Sequence, residues 1–294
     1  MFRLVAAASA AVLCLSASAS GQYLMMPDST NNRMVLFDPF DGSVVNSNYF
    51  PLAGGTPIHA IQVGNEIWLS EQIGDRVSRW DLVGNPLGSI SGGLDNVRGM
   101  GLVQNKVYVT NAGTNNGAPG NAVVIYDTLG NLSDTFSTVG LAPSPFGILE
   151  HQGGILVSSS SANDDIHRFG LDGTPLGTFH NSTSLNFAEQ MVYAANGDVL
   201  VAGFSTNNIA RLNANDGSLI TSFNAAGARG VWQLGNGNIM WTSGAGASIF
   251  DVNSGTNSLV YSGGGRYIDF VEIPTPGVTS IMGLAGFVAV RRRR

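Results

Sequence analysis

Few side chains in this sequence are of types that do chemistry, and they stand at related places. His59, Arg98, Glu189, Arg229 and Arg266 each lie at the head of a short apolar run, and Phe146 takes the same place in another. A small residue follows most of them, at Ala60, Gly99, Gly147 and Gly230. If those runs are equivalent strands of a closed repeat, the six residues form a ring around its axis. Three arginines in one ring suit a carboxylate or phosphate, because the planar guanidinium pairs with both oxygens of such a group. An acidic sugar or a uronate chain is the expected ligand class. Glu189 and His59 could then serve as an acid/base pair, since histidine titrates near neutrality and burial tunes a carboxyl. The competing reading is internal neutralisation. Asp28 and Glu71 occupy a second ring, with Asn111, Ser159, Gly203 and Ser243, and buried charges must be paired.

Composition narrows the chemistry further. The chain has 294 residues, 14 basic and 20 acidic, and a single cysteine, Cys14. Residues 1–19 begin with Met-Phe-Arg, continue through an apolar stretch and end in Ser16-Ala17-Ser18-Ala19, the pattern of a secretory signal cleaved after an Ala-x-Ala site. A lipid-modified Cys14 is the alternative, but Leu13 stands where a small residue is needed. Without the segments 1–19 and 274–294 the core keeps nine basic and twenty acidic residues and no cysteine. Its net charge is then −11, which argues against nucleic acid as a partner. Disulfides, thiol nucleophiles and thiolate metal sites are excluded from that core. No cofactor or metal is expected. Of the four histidines only His59 falls on the ring, which opposes a three-histidine zinc site. Three arginines beside Glu189 likewise oppose a cation held by Glu189, Asn111 and Asp28. Asp38-Pro-Phe-Asp41-Gly42 and Asn163-Asp164-Asp165 lack calcium-loop spacing and read as turns.

The elements that must position the ring come from a repeat. Turn signals containing Gly42, Gly84, Gly130, Gly173, Gly217 and Gly255 follow one another at 42, 46, 43, 44 and 38 residues. Asp-Gly and Gly-Asn pairs between apolar runs mark hairpins, because the tight turn needs positive φ. Each unit parses into four strands, A to D, as in 146–150, 155–158, 166–169 and 175–179. The fold expected for 20–273 is all-β: a six-bladed β-propeller with four antiparallel strands per blade. The core begins at a B strand and ends at an unpaired A strand, 266–273. The C-terminal strand should therefore close the first blade, leaving no open sheet edge there.

The repeat, with Ser144-Pro145-Phe146-Gly147-Ile148, Thr206-Asn207-Asn208-Ile209 and Thr30-Asn31-Asn32-Arg33-Met34 as its best copies, resembles the NHL-type repeat and its relatives among gluconolactonases and streptogramin lyases. The tail 274–294 joins Pro274-Thr275-Pro276 to an apolar segment and to Arg291 through Arg294. It resembles the PEP-CTERM class of bacterial sorting signals, with Thr275 where that class most often has Glu. That resemblance implies removal by a membrane sorting enzyme and a final place in the cell envelope or extracellular matrix. A permanent C-terminal anchor is the alternative. The combined expectation is an exported, non-enzymatic binding propeller whose partner is an acidic glycan, an exopolysaccharide or another envelope protein. It would touch the membrane only through its terminal segments. A secreted lactonase- or lyase-like enzyme and a purely structural surface scaffold are the alternatives.

Overall fold

A computed structural model of the chain describes residues 20–161 and 164–274. Gln22–Glu272 forms one compact unit. The proposed signal, residues 1–19, and the proposed tail beyond Pro274 lie outside the described residues.

Six four-stranded antiparallel sheets succeed one another along the chain, the blades of a β-propeller. The strands alternate or run apolar over four to nine residues, too short and too β-branched for helix, and tight turns separate them. All six marker glycines take positive φ, as the hairpin signals require. The innermost strands are Asp269–Pro274, Pro57–Val63, Val97–Val103, Pro145–His151, Ala188–Tyr193 and Gly230–Gln233, for blades one to six. These strands pack on one another in blade order around the axis. The outermost strands, such as Leu132–Ser137 and Leu219–Asn224, face solvent along most of their length.

The core is a set of wedges between successive blades. Trp68 and Val77 of blade two meet Leu94, Met100 and Tyr126 of blade three. Tyr108 and Val123 then meet Ile155 and Phe169 of blade four, and the pattern continues to Leu24, Val35 and Phe37 of blade one against Met240 and Ala247 of blade six. The three inner strands of each sheet are therefore apolar on both faces.

Blade one is built from both ends of the chain. Its order is Asp269–Pro274, Ser20–Asp28, Arg33–Phe37, Val44–Pro51. Glutamine amides reinforce the closing strand by copying backbone pairing. Gln62 accepts from the Glu272 N–H at 2.8 Å and donates to its carbonyl at 3.3 Å. Gln190 accepts from the Ile268 N–H at 3.0 Å and donates to the Ile268 carbonyl.

Candidate functional site

Strand pairing fixes which residues are equivalent at the channel. Pro57 faces Glu71, Val97 faces Asn111, Pro145 faces Ser159, Ala188 faces Gly203 and Gly265 faces Asp28. The next residue in each strand makes the ring: Ile58, Arg98, Phe146, Glu189 and Arg266, with Arg229 supplied by blade six. Five of the six residues named from the sequence thus stand at equivalent places in their blades. His59 stands one residue out of register, beside Gly99, Gly147, Gln190, Gly230 and Tyr267, and Ile58 takes the place expected for it. The physical reason is that His59 itself holds the crowded place taken by glycine in other blades, its N–H donating to Ser70 as those of Gly147 and Gly230 do to Ser158 and Thr242, while the small residue Ala60 lies one place beyond it.

A belt of hydroxyl groups holds this ring. The Ser158 hydroxyl accepts from the Gly147 N–H at 2.7 Å and donates to the Glu189 carbonyl of the next blade at 2.6 Å. Thr242 does the same between Gly230 and Arg266, at 2.8 and 2.6 Å. Ser70 links His59 to the Arg98 carbonyl, and Thr110 donates to the Phe146 carbonyl. In blades one and five the corresponding residues are Pro27 and Ala202, which carry no hydroxyl. There the backbones meet directly, Tyr267 donating to Ile58 at 3.1 Å and Gln190 to Arg229 at 3.2 Å. The closeness explains the glycines: a Cβ on Gly99 would lie 2.0 Å from the Phe146 carbonyl oxygen.

The arginines are not spent on the second ring. Asp28 accepts from the Tyr261 hydroxyl, the Asn31 amide and the Gly264 N–H, with Arg33 at 3.6 Å. Burial raises its carboxyl, but these hydrogen bonds outweigh it and hold the group down at about 2. Glu71 pairs with Arg76 at 2.7 Å. Neighbouring C strands therefore neutralise both carboxylates, contrary to the pairing expected with the ring. Arg229 does take an acid, Glu189, at 3.1 Å. Arg266 donates to the Ser29 hydroxyl at 2.9 Å. Arg98 donates to the Ser144 hydroxyl at 2.7 Å and to the carbonyls of Ser144 and Pro145.

Aromatic rings complete the arrangement. Phe146, Phe187 and Phe204 form a chain of contacts at 4.9 and 5.0 Å between centroids. Arg98 lies over Phe146 at 3.9 Å and Arg229 over Phe204 at 4.5 Å. Tyr267 packs with Ile58, Phe146 and Phe187, residues of different blades that can meet only near the axis. Its ring is fully buried and its hydroxyl has no hydrogen-bond partner. Burial drives the Tyr267 phenol well above its ordinary value. Burial also lifts the Glu189 carboxyl to about 7, against the pull of Arg229, Arg266 and Arg98. Burial lowers Arg98 to about 10. The sequence reading missed Tyr267, Phe187 and Phe204. Tyr267 directly follows a ring residue and was visible in principle, whereas the two phenylalanines stand at loop places that carry polar residues in other blades, such as Ser144 and Ser160.

His59 belongs to the other end of the channel. It lines a cavity with Met100, Gln190, Met191 and Asp269, and none of the ring residues lines that cavity. His59 and Glu189 are thus not a facing pair across one mouth. The remaining histidines lie elsewhere: His151 bonds the Tyr193 hydroxyl at 2.6 Å, and His180 lies between the Gly217 carbonyl and Ser182. Among the described residues no three His, Cys, Asp or Glu side chains come together as metal ligands. Asp38 caps its own turn, accepting from the Phe40 N–H at 2.7 Å. Asn163 lies outside the described residues.

No protein-family model matches this chain, and comparison with curated proteins finds no match. Solved structures are similar at the level of fold. A protein of unknown function from Bacteroides caccae is 18% identical with a TM-score of 0.65, over 85% of this chain and 98% of that one. A chain of a nidogen/laminin complex is 13% identical with a TM-score of 0.71, over the same shares. Virginiamycin B lyase from Staphylococcus aureus is 13% identical with a TM-score of 0.55, over 78% of this chain and 76% of that one. The resemblance to lyase-like propellers therefore holds for architecture, and identities this low carry nothing about activity.

Proposed function

We propose that this protein is an exported propeller of the cell envelope or extracellular matrix that binds an anionic ligand, a carboxylate-bearing glycan, where its innermost strands begin. One observation carries the reading. Three guanidiniums meet one buried carboxylate there, and Arg98 and Arg266 hydrogen-bond to neutral groups. In a core of net charge −11, such a cluster is held for something other than internal neutralisation. Arg229, with 23% of its side chain exposed, and the partly exposed Arg266 meet the ligand, and Arg98 supports them from beneath. The two terminal segments support export. A glycan array tests the site. The double variant Arg229→Ala/Arg266→Ala should lose uronate-containing glycans while keeping the circular-dichroism spectrum of the folded chain; unchanged binding removes the proposal and leaves a structural scaffold.

A second reading, a lyase- or lactonase-like enzyme, is favoured by a carboxyl near neutrality beside an unpartnered phenol, Glu189 and Tyr267. These are a proton acceptor and a donor of the kinds such eliminations use. Turnover of a lactone panel that is lost in Glu189→Gln would favour it over simple binding.

A further inference from the structure

The opposite mouth has its own chemistry. The channel opens there into a cavity of about 320 Å³, within the size range of about 300–1,000 Å³ usual for small-molecule sites. Its walls are apolar, from Met100, Leu102, Ile148, Met191 and Trp232. Its charged groups are all acidic, Asp269 and Glu150, and no lysine or arginine lines it. His59 forms part of the floor, almost fully buried. Its Nδ1 accepts the Met100 N–H at 3.0 Å, which puts a ring proton on Nε2. Nε2 lies 3.2 Å from Asp269 Oδ2, close but not aligned as a hydrogen bond, and has no other partner.

We propose that this cavity binds a small apolar amine. The ammonium sits on the Asp269 carboxylate, with Glu150 adding negative potential at the rim, and the hydrocarbon body displaces water from the methionine, leucine and tryptophan walls. A carboxylate of the same size meets only like charge, so the cavity selects against the ligands proposed for the other mouth.

Titration calorimetry with 2-phenylethylamine, 2-phenylethanol and phenylacetate tests this. The amine should bind saturably, the alcohol at least about tenfold more weakly, and phenylacetate not at all. Asp269→Asn should weaken the amine about tenfold or more. Because Asp269 lies in the strand that closes blade one, Leu102→Arg is the second variant. Leu102 is 41% exposed at the rim, and a guanidinium there should repel the amine while the fold stays intact. Arg229→Ala/Arg266→Ala should leave amine binding unchanged, since it alters the other mouth. Absence of saturable amine binding overturns the proposal. So does equal uptake of phenylacetate, or full affinity in both Asp269→Asn and Leu102→Arg.

Discussion

At the scale of the residue, Glu189 shows how position rather than type sets chemistry. Burial raises its carboxyl from 4.5 to about 7 although three arginines act on it. Between those pH values the folded chain keeps a proton that the unfolded chain has released. The contribution of Glu189 to stability is therefore full below about pH 4.5 and is lost as pH rises through about 7. Glu189→Gln keeps an acceptor for Arg229 and removes the titration. Urea unfolding at a series of pH values should show the variant gaining on the wild type between pH 4.5 and 8, by on the order of 3 kcal/mol. A constant difference across that range would mean that the carboxyl is ionised throughout. The identities of Arg98, Glu189, Arg229 and Arg266 as ring residues were legible in the sequence. Their partners were not, because Ser144 and Phe187 share one positive-φ loop place with Thr56 and Asn96, and the residue type there changes from blade to blade.

The element scale explains why the ring has its shape. Each innermost strand must approach the next within hydrogen-bonding distance near the axis, and a hydroxyl from strand B fills the gap where it exists. Thr242→Val conserves shape and removes the hydroxyl that serves both Gly230 and Arg266. Two buried backbone groups then lose their partner, at a cost of about 1–3 kcal/mol in chemical denaturation. A loss well under that range would show that the blades relax into direct contact, as blades one and five do at Pro27 and Ala202. Gly147→Ala should be worse, since its Cβ would stand 2.3 Å from the Glu189 carbonyl oxygen and the backbone must shift. Strand identity was readable from alternation and turn signals. The one-residue offset at His59 was not, because Ala60 imitates the small residue that follows a ring position, and only the hydrogen bond from the His59 N–H to Ser70 shows that His59 holds the glycine place.

At the scale of the whole molecule, the wedges of core between blades depend on a closed ring. The strand Asp269–Pro274 pairs with Ser20–Asp28 and joins the two ends of the chain in one sheet. A chain ending at Pro274 should melt as the longer one does. A chain ending at Ile268 leaves the edge of Ser20–Asp28 unpaired and removes the backbone that Gln62 holds. It should unfold at markedly lower temperature and aggregate, and light scattering during a thermal ramp would report both. Equal melting of the two truncations would show that closure contributes little.

The sequence by itself determined the blade count, the strand order and the closure, because a repeat of about 43 residues with complementary ends admits few other ways to bury its apolar faces. It also determined that arginines gather at one ring, since equivalent positions of a repeat are equivalent in space. Only the tertiary structure decided that the ring arginines gather around Glu189 while His59, Asp269 and Glu150 line a cavity apart from them. That division rests on Tyr267, Ile58 and Phe146 meeting on the axis from different blades, and on which carboxylate each guanidinium reaches. Contacts between distant blades depend on angles and offsets summed around the ring, and no local stretch of residues encodes them.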